Sequence, residues 1–173
     1  SSVGVLGEDI LVNGTHDPHF EATTSLVRFR VLNASNARVY NLGFDDDRPY
    51  WQVGADSGLL EEPNETTRLL LSPGERAEIV VEVEPGEQTV LRSYEQAMGG
   101  GFWQDRFAGG DDTFDLLQIR AADELEDSGE LPTGLTAPTR PPSPAVSTSP
   151  PSAPSIIERW TWAGSTKSSR RGR

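Results

Sequence analysis

Apolar and polar residues alternate along much of the first 120 positions, and a repeat of two residues predicts β-strands with one buried and one exposed face. Residues 26–32 read LVRFRVL, which places valine and phenylalanine on one face and two arginines on the other. Residues 77–83, AEIVVEV, alternate in largely the same way, and no 3.6-residue apolar repeat is sustained. Shorter patterns of this kind predict further strands at residues 9–12, 39–44, 50–55, 67–71, 88–92 and 114–119.

Turn-forming residues separate these strands. They include Asn13-Gly14, Asp56-Ser57-Gly58, SPGE at 72–75 and EPGE at 84–87. About eight short strands joined by such turns predict an all-β fold, a Greek-key β-sandwich. A parallel α/β fold is disfavoured because the pattern lacks the crossover helices that such a fold needs.

Charge is distributed unevenly along the chain. It holds 15 Lys and Arg against 27 Asp and Glu, a formal net charge of −12. Residues 1–130 contain 26 acids and nine arginines, a net charge of −17, whereas residues 131–173 contain one acid and six bases, a net charge of +5. The acidic balance argues against nucleic acid and anionic membrane surfaces as partners, and no apolar run approaches the ~20 residues of a membrane span. Because 14 of the 15 bases are arginine, we expect a G+C-rich gene and a halophile-like acidic surface.

The composition changes near residue 131. Residues 131–155 contain eight of the 13 prolines among Ser and Thr, a mixture that buries too little apolar surface to fold. We therefore predict a sandwich domain over residues 1–130, a disordered Pro/Ser/Thr-rich linker over 131–155 and a basic tail over 156–173. The chain starts with neither an initiator Met nor a signal-peptide pattern, so we expect a mature product or a fragment.

Residues 96–110 break the strand rhythm with three consecutive glycines followed by Phe102-Trp103. Two interpretations stay open. The segment is either a flexible loop that carries an aromatic anchor to another domain, or a long connection between two strands.

Four segments carry a family resemblance: GEDILVNG at 7–14, VRFRVLNASNAR at 27–38, VGADSGLL at 53–60 and LSPGERAE at 71–78. Together they resemble the middle cupredoxin domain of three-domain multicopper oxidases of the laccase, bilirubin oxidase and spore-coat laccase type. The second segment is the most specific, and the third departs from the family's I-x-x-D-G-G-L-L pattern where Ser57 replaces glycine. The resemblance implies a cupredoxin-like sandwich, which agrees with the strand pattern.

The residues of these segments suit structural roles. Pro73 and Gly74 fit a type II turn, and the two asparagines that follow the strand at 26–32 fit hydrogen bonds that close the backbone. An ion pair buried between Arg38 and Asp56 is a further hypothesis. The predicted structural motif comprises Asn13, Gly14, Asn33, Asn36, Arg38, Asp56, Gly58, Pro73, Gly74, Glu75 and Arg76.

By resemblance, copper belongs to the full-length parent protein. There, a blue site takes two His, a Cys and a weak axial ligand, and H-x-H motifs hold a trinuclear cluster in the first and third domains. This chain has no Cys and no H-x-H, and His16 and His19 are weak metal candidates on a predicted loop. Met98 is of the residue type that serves as a weak axial copper ligand, but without a cysteine there is no blue site for it to complete. We therefore expect no copper, catalytic or cofactor-binding residue in this chain, and its status as an enzyme stays open.

Other candidate chemistry is weaker. The three aspartates at 45–47 lack the alternating ligand spacing of an EF-hand, so a solvated hairpin tip is the favoured interpretation. Sequons for N-glycosylation begin at Asn13, Asn33 and Asn64, and two of these asparagines already belong to the structural motif.

The tail reads RWTWAGSTKSS at 159–169, where the resemblance implies a third domain with a segment similar to D-M-x-R-I-D-E-V-V-P. Read from the third base of each codon, Trp160-Thr161 forces Asp and Trp162-Ala163 forces Gly. Permitted bases extend this run to V-D-M-G-R-I-D-E-V-V-P. We therefore expect a displaced reading frame at the start of a third cupredoxin domain, and the alternative is a natural basic tail that binds an acidic partner.

The leading interpretation is a fragment of a multicopper oxidase in which this domain is a structural, non-copper-binding spacer. Its partners are then the flanking copper-binding cupredoxin domains of the same polypeptide, and the parent couples oxidation of phenolic, aromatic or metal substrates to reduction of O₂ to water. The alternatives are a stand-alone copper-free cupredoxin-like binding module of the cell envelope and a non-functional fragment. By resemblance alone, we expect an extracellular, periplasmic or cell-envelope location.

Overall fold

The computed structural model describes residues 4–96 and 109–135, together with the backbone of residues 158–159 and 162–164. All regular elements in these residues are β-strands, which confirms the predicted all-β class. In chain order, the described strands are β1 (Ile10–Val12), β2 (His19–Thr24), β3 (Leu26–Leu32), β4 (Tyr40–Phe44), β5 (Tyr50–Ala55), β6 (Gly58–Thr66), β7 (Leu69–Leu71), β8 (Arg76–Glu82), β9 (Gln88–Ser93), β10 (Phe114–Glu126), β11 (Glu158–Arg159) and β12 (Trp162–Gly164).

These strands form two five-stranded sheets and one separate pair. The first sheet has the order β2-β10-β9-β4-β7, the second has the order β11-β3-β8-β5-β6, and β1 pairs with β12. Consecutive strands such as β3 and β4, or β7 and β8, lie in different sheets, as a Greek-key sandwich requires. Most neighbouring strands are antiparallel, while β2 pairs with β10, and β11 with β3, in parallel.

The inner faces of the two sheets enclose one apolar core. β3 illustrates its construction, because Val27, Phe29 and Val31 are buried while the residues between them are partly exposed. The Phe44 ring of the first sheet meets the Tyr50 ring of the second edge-on, with 5.4 Å between the centroids. The apolar residues of the alternating pattern are therefore the ones through which the two sheets contact each other.

The strand predictions succeed where the alternation is strong. Residues 26–32 and 50–55 form strands with the predicted bounds. The pattern missed β2 and β6. β6 reads GLLEEPNET, and Pro63 and its acids obscure any alternation because this edge strand is mostly exposed. β10 continues past the predicted end at residue 119 to Glu126.

Beyond β10 the chain returns to the second sheet. The Ser128 hydroxyl lies 3.2 Å from the Leu26 nitrogen, and the Leu135 N–H donates to the Glu61 carbonyl at 2.9 Å. The chain thus follows the sandwich up to residue 135. Residues 136–157 lie outside the described residues, so the domain limit at 130 and the disordered linker stay predictions.

Candidate functional site

Contacts between distant segments join several residues of the predicted structural motif. Arg38, in the second segment, binds a main-chain carbonyl of the first. Asn33, also in the second, hydrogen-bonds the turn at 72–75 in the fourth, and Asp56 of the third accepts a hydrogen bond from Arg76 of the fourth. The four segments therefore form one connected structural network.

Asn33 is the most enclosed polar residue of this network, with 1% of its surface exposed. Its Nδ2 donates to the carbonyls of Arg38 and Leu71, both at 2.8 Å. Its Oδ1 accepts from the Ser35 N–H at 3.0 Å, and the Ser35 hydroxyl lies 2.6 Å from the same oxygen. Because both ends of the buried amide are paired, its burial carries no desolvation penalty from a missing partner.

A tight turn carries the chain from β7 into β8. Gly74 has a φ of +88°, and the Glu75 N–H donates to the Ser72 carbonyl at 3.0 Å, as in a type II turn with Pro73 at its second position. The Gly74 N–H donates to the Asn33 carbonyl at 2.8 Å, and the Asn33 N–H donates to the Glu75 carbonyl at 3.0 Å. These two bonds fix the turn to the end of β3.

Arg38 holds the segment before β1 against the sandwich. Its Nε donates to the Leu6 carbonyl at 3.2 Å, and its Nη2 donates to the Gly7 carbonyl at 2.7 Å. Nη1 donates to Asp112 Oδ2 at 2.6 Å, and Cζ lies 4.6 Å from the centroid of the Phe114 ring, a cation–π contact. One buried guanidinium therefore joins the start of the domain to the loop before β10.

The hypothesised ion pair between Arg38 and Asp56 is wrong. Asp56 lies in the exposed turn before Gly58, and its Oδ1 accepts from the Arg76 N–H at 3.0 Å. The acidic partner of Arg38 is instead Asp112, 74 residues further along the chain. Asp112 lies in a stretch with neither a strand pattern nor a motif, so the sequence offered no signal for it.

The two histidines lie on different elements. His16 follows β1 in a loop, as expected, whereas His19 is the first residue of β2, not a loop residue. His19 Nε2 lies 3.6 Å from Glu21 Oε1. Within the part of the chain that the structure describes, no group of three His, Asp or Glu side chains is placed to hold a metal ion.

His16 also lines an open cleft of about 460 Å³ beside the start of β10. Four carboxylates and one arginine share this cleft, and the arginine pairs internally, since Arg92 Nε donates to Asp115 Oδ1 at 2.5 Å. That hydrogen bond raises the pKa of Arg92 above its usual value. The charged lining residues are Glu8, Asp9, Asp17, Arg92 and Asp115.

The three aspartates at 45–47 connect β4 to β5. Because these two strands lie in different sheets, the connection is not the predicted hairpin tip. Asp45 Oδ1 accepts from the Thr89 hydroxyl at 2.9 Å, and Asp46 Oδ2 lies 2.5 Å from Arg48 Nη2. The side chains of this turn are therefore occupied by partners within the protein.

An arginine stacks on a tyrosine beside this turn. Arg68 Cζ lies 3.8 Å from the Tyr94 ring centroid, and the same guanidinium pairs with Asp47. The arginine passes close over Gly43, where a Cβ atom would lie 2.5 Å from Arg68 Nη1 and 2.8 Å from the Thr67 carbonyl oxygen. This close approach explains the glycine in β4, which the sequence pattern did not single out.

The sequons differ in access. Asn33 is buried and hydrogen-bonded, so its side chain is closed to modification in the folded domain. Asn64 is exposed on β6. Asn13 is exposed in the turn with Gly14, where both residues have positive φ values of 50° and 80°.

Some predictions lie outside the described residues. These are the placement of Met98 and Phe102-Trp103, the linker after residue 135, and the side chains of the tail. In the residues that the structure does describe, no helix has the length and apolar character needed to cross a membrane.

Comparison with curated proteins gives relatives named cell division protein FtsP. The chain is 44% identical to the FtsP of Edwardsiella tarda over 97 residues, which cover 56% of this chain and 21% of that protein. It is 39% identical to the FtsP of Proteus mirabilis over 106 residues, covering 61% of this chain and 22% of that protein. The chain thus spans about a fifth of the length of the curated relatives it matches. No family model matches the chain.

Solved structures of multicopper oxidases superpose on most of the chain. The laccase-like multicopper oxidase CueO of Ochrobactrum sp. aligns with a TM-score of 0.66 and 31% identity, covering 81% of this chain and 29% of that protein. The laccase of Pediococcus acidilactici aligns with a TM-score of 0.62 and 33% identity, covering 85% and 28%. McoA of Aquifex aeolicus aligns with a TM-score of 0.64 and 28% identity, covering 81% and 30%. The two-sheet sandwich described above is therefore a cupredoxin domain that shares its fold with part of each of these multicopper oxidases.

Proposed function

We propose that this chain supplies the middle cupredoxin domain of a larger protein, where it spaces and supports flanking cupredoxin domains that bind copper. One observation carries this proposal. The solved multicopper oxidases cover over 80% of this chain, yet the chain accounts for 28–30% of their length, the share expected of one domain in three.

The chain's own residues do not fit a blue copper centre. Such a centre takes two imidazoles and a thiolate, whereas this sequence has no Cys and two His. His16 lies in a loop and His19 opens β2 beside Glu21. Copper, and the oxidation of phenolic, aromatic or metal substrates with reduction of O₂ to water, is therefore assigned to the parent protein and not to this domain.

The contacts of Arg38 suit a domain that acts as a spacer. A spacer transmits a fixed geometry only if the chain enters it at a fixed point. Arg38 provides one by holding the Leu6 and Gly7 carbonyls, and Asp112 holds the guanidinium in turn. The chain that precedes β1 is thereby fixed to the sandwich.

The test is to produce this chain and the full-length gene product in parallel with added copper. We expect the full-length protein to bind copper, absorb in the blue-copper band and oxidise a phenolic substrate. This chain should retain no stoichiometric copper after gel filtration, and a full-length H16A/H19A variant should keep its copper content and activity. Stoichiometric copper on this chain alone would overturn the spacer role.

A second candidate is a copper-free binding module of the cell envelope. It is favoured by the 44% identity to a protein named for cell division, which exceeds the 31–33% identity to the solved CueO and laccase. In that case the full-length protein is folded, colourless and exported, and it has no oxidase activity. Deletion of its gene disturbs cell division. Copper content and blue absorbance of the full-length protein separate the two candidates.

The organisation of the chain forms part of the proposal. We propose a domain over residues 1–130, a Pro/Ser/Thr-rich linker over 131–155, and a tail over 156–173 that is the frame-displaced start of a third cupredoxin domain. The genomic sequence tests this. A downstream frame that encodes H-x-H and His-Cys-His motifs supports it, and their absence leaves a natural basic tail or a non-functional fragment.

The acidic surface is proposed to be salt-adapted. Self-repulsion at a net charge of −12 weakens as salt screens it. The midpoint of urea unfolding should therefore rise steadily between 0.1 and ~2 M KCl. A midpoint that does not change with salt would contradict the adaptation.

A further inference from the structure

The edge of β3 that faces away from β8 is the feature that carries a further inference. On one side β3 pairs with β8 along all seven of its residues. On the other side it pairs, within the described residues, only with β11, which lies parallel to it and contacts Phe29 and Arg30. At the start of β3, the Leu26 N–H donates to the Ser128 hydroxyl and the Leu26 carbonyl accepts from the Thr24 hydroxyl. No described strand lies beside the remaining residues on that side.

Two other edge strands of the sandwich, β6 and β7, carry features that discourage pairing with another chain. β6 contains Pro63 and three glutamates, and β7 is only three residues long. Proline, charge and short length are the usual protections of an edge strand. β3 has none of them in the same measure, since it is seven residues long, lacks Pro, and carries arginines that share the Glu78 carboxylate of β8.

One short segment of this chain reaches both β3 and β1. β11 pairs with β3 at residues 158–159, and β12 pairs antiparallel with β1 at residues 162–164. Only two residues separate β11 from β12 in the sequence. β1 belongs to neither five-stranded sheet, so its strand pairing in the described structure comes from β12.

We infer that β11 and β12, residues 158–159 and 162–164, act as a strand clip: β11 covers part of the edge of β3, and β12 pairs with β1. Recognition is by β-augmentation, in which main-chain N–H and C=O groups provide the contacts. The occupant is this segment of the same chain, and its function is to keep the edge of β3 from pairing with a second copy. The proposal concerns this chain with the residues it carries, and it does not rest on copper in the parent protein.

Hydrogen–deuterium exchange of the intact chain tests the clip. A proline cannot donate to a strand ladder, so the variant E158P/R159P should lose the pairing with β3. The matched control is S168P/S169P, which places two prolines beyond both β11 and β12. Amides of β8 and β5 in the middle of the second sheet report whether each variant is folded.

We expect the β3 amides that bond to β11 to exchange about ten-fold faster or more in E158P/R159P, with no change in the control. The same variant should form dimers in size-exclusion chromatography at concentrations where the original chain is a monomer. Equal β3 exchange in the original chain and E158P/R159P would overturn the proposal. It would also be overturned if β3 protection rose with protein concentration in the original chain, because a second copy would then be the occupant.

Discussion

The Arg38 guanidinium and the Asp112 carboxylate, 2.6 Å apart, connect the start of the domain to the loop before β10. The two partners differ in exposure, since the side chain of Arg38 is 4% exposed and that of Asp112 is 41% exposed. Asp112 can turn to water when the pair is broken, whereas the Leu6 and Gly7 carbonyls lose the guanidinium that holds them to the sandwich. Removal of the arginine should therefore lower the free energy of unfolding more than removal of the aspartate.

Arg38→Met should lower the free energy of unfolding by about 2–4 kcal/mol, because a buried charged donor of three hydrogen bonds is lost. Urea unfolding at neutral pH measures the change. Arg76→Met is the matched control, since Arg76 is 64% exposed and its loss should change stability by less than about 0.5 kcal/mol. Equal effects of the two substitutions would contradict the assigned role of Arg38.

The two asparagines of the motif should differ sharply in their contribution to stability. Asn33→Ala leaves the Arg38 and Leu71 carbonyls without their donor and should cost about 2–4 kcal/mol. Asn36→Ala removes one exposed hydrogen bond from the Val5 N–H, and should cost less than about 1 kcal/mol. Thermal unfolding of the two variants provides the comparison, and a similar loss in both would refute the difference in burial.

The sequence predicted the sheets better than the contacts between them. A residue period of two gave β3 and β5 with their observed bounds, because burial of one face imposes alternation on a strand. β6 escaped prediction because an exposed edge strand needs no apolar face, so Pro63 and the glutamates read as a loop. The alternation of apolar and polar residues therefore identifies strands with one buried face, and it does not identify strands that stay exposed.

The contact partners of the predicted motif residues were not all predictable from the sequence. The turn with Pro73 and Gly74 is local, and its chemistry follows from four consecutive residues. The partner of Arg38 lies 74 residues away, and its choice between Asp56 and Asp112 depends on how the loops fold. Likewise, Gly43 is required by an arginine that reaches it from another element.

Gly43→Ala tests this close approach. The added Cβ would lie 2.8 Å from the Thr67 carbonyl oxygen, a main-chain atom that cannot easily move, besides its contact with Arg68. We expect a loss of about 1–3 kcal/mol in unfolding free energy, measured by urea denaturation. Gly134→Ala is the control because a Cβ there meets nothing within 4 Å. A neutral Gly43→Ala would show that the stack of Arg68 on Tyr94 moves aside without cost.

The ion pair of Asp46 with Arg48 should make a small, pH-dependent contribution. The hydrogen bond from Arg48 lowers the pKa of Asp46 below its usual value. A carboxylate with a lowered folded-state pKa stabilises the protein above its unfolded pKa of about 4, and this contribution is lost as the pH falls through the folded value. Asp46→Asn should therefore cost about 0.5–1 kcal/mol at pH 7, because Asp46 is 43% exposed and solvent screens the pair.

The stability difference between the original chain and Asp46→Asn should shrink as the pH is lowered below about 4, and also in ~1 M salt at pH 7. Urea unfolding at several pH values measures both trends. A difference that stays constant from pH 7 to pH 3 would mean that the Asp46 carboxylate does not contribute through its charge.

Tyr50 should make the domain sensitive to alkaline pH. Its hydroxyl donates to the Leu42 carbonyl at 3.0 Å inside the core, and burial raises its pKa well above the usual value. The neutral form is thus favoured in the folded state, so its contribution is fully present below the unfolded pKa of about 10 and is lost as the pH rises further. Tyr50→Phe should cost about 1 kcal/mol at pH 7 through the lost hydrogen bond.

Above pH ~10 the same substitution should reduce the loss of stability with rising pH, because phenylalanine has no proton to lose. Unfolding free energies of both proteins between pH 8 and 11 provide the two slopes. Burial also raises the pKa of Tyr40, so the double variant Y40F/Y50F should have the shallower slope of the two variants. If Tyr50→Phe and the original chain lose stability in parallel above pH ~10, the Tyr50 hydroxyl is not the group that links the core to alkaline unfolding.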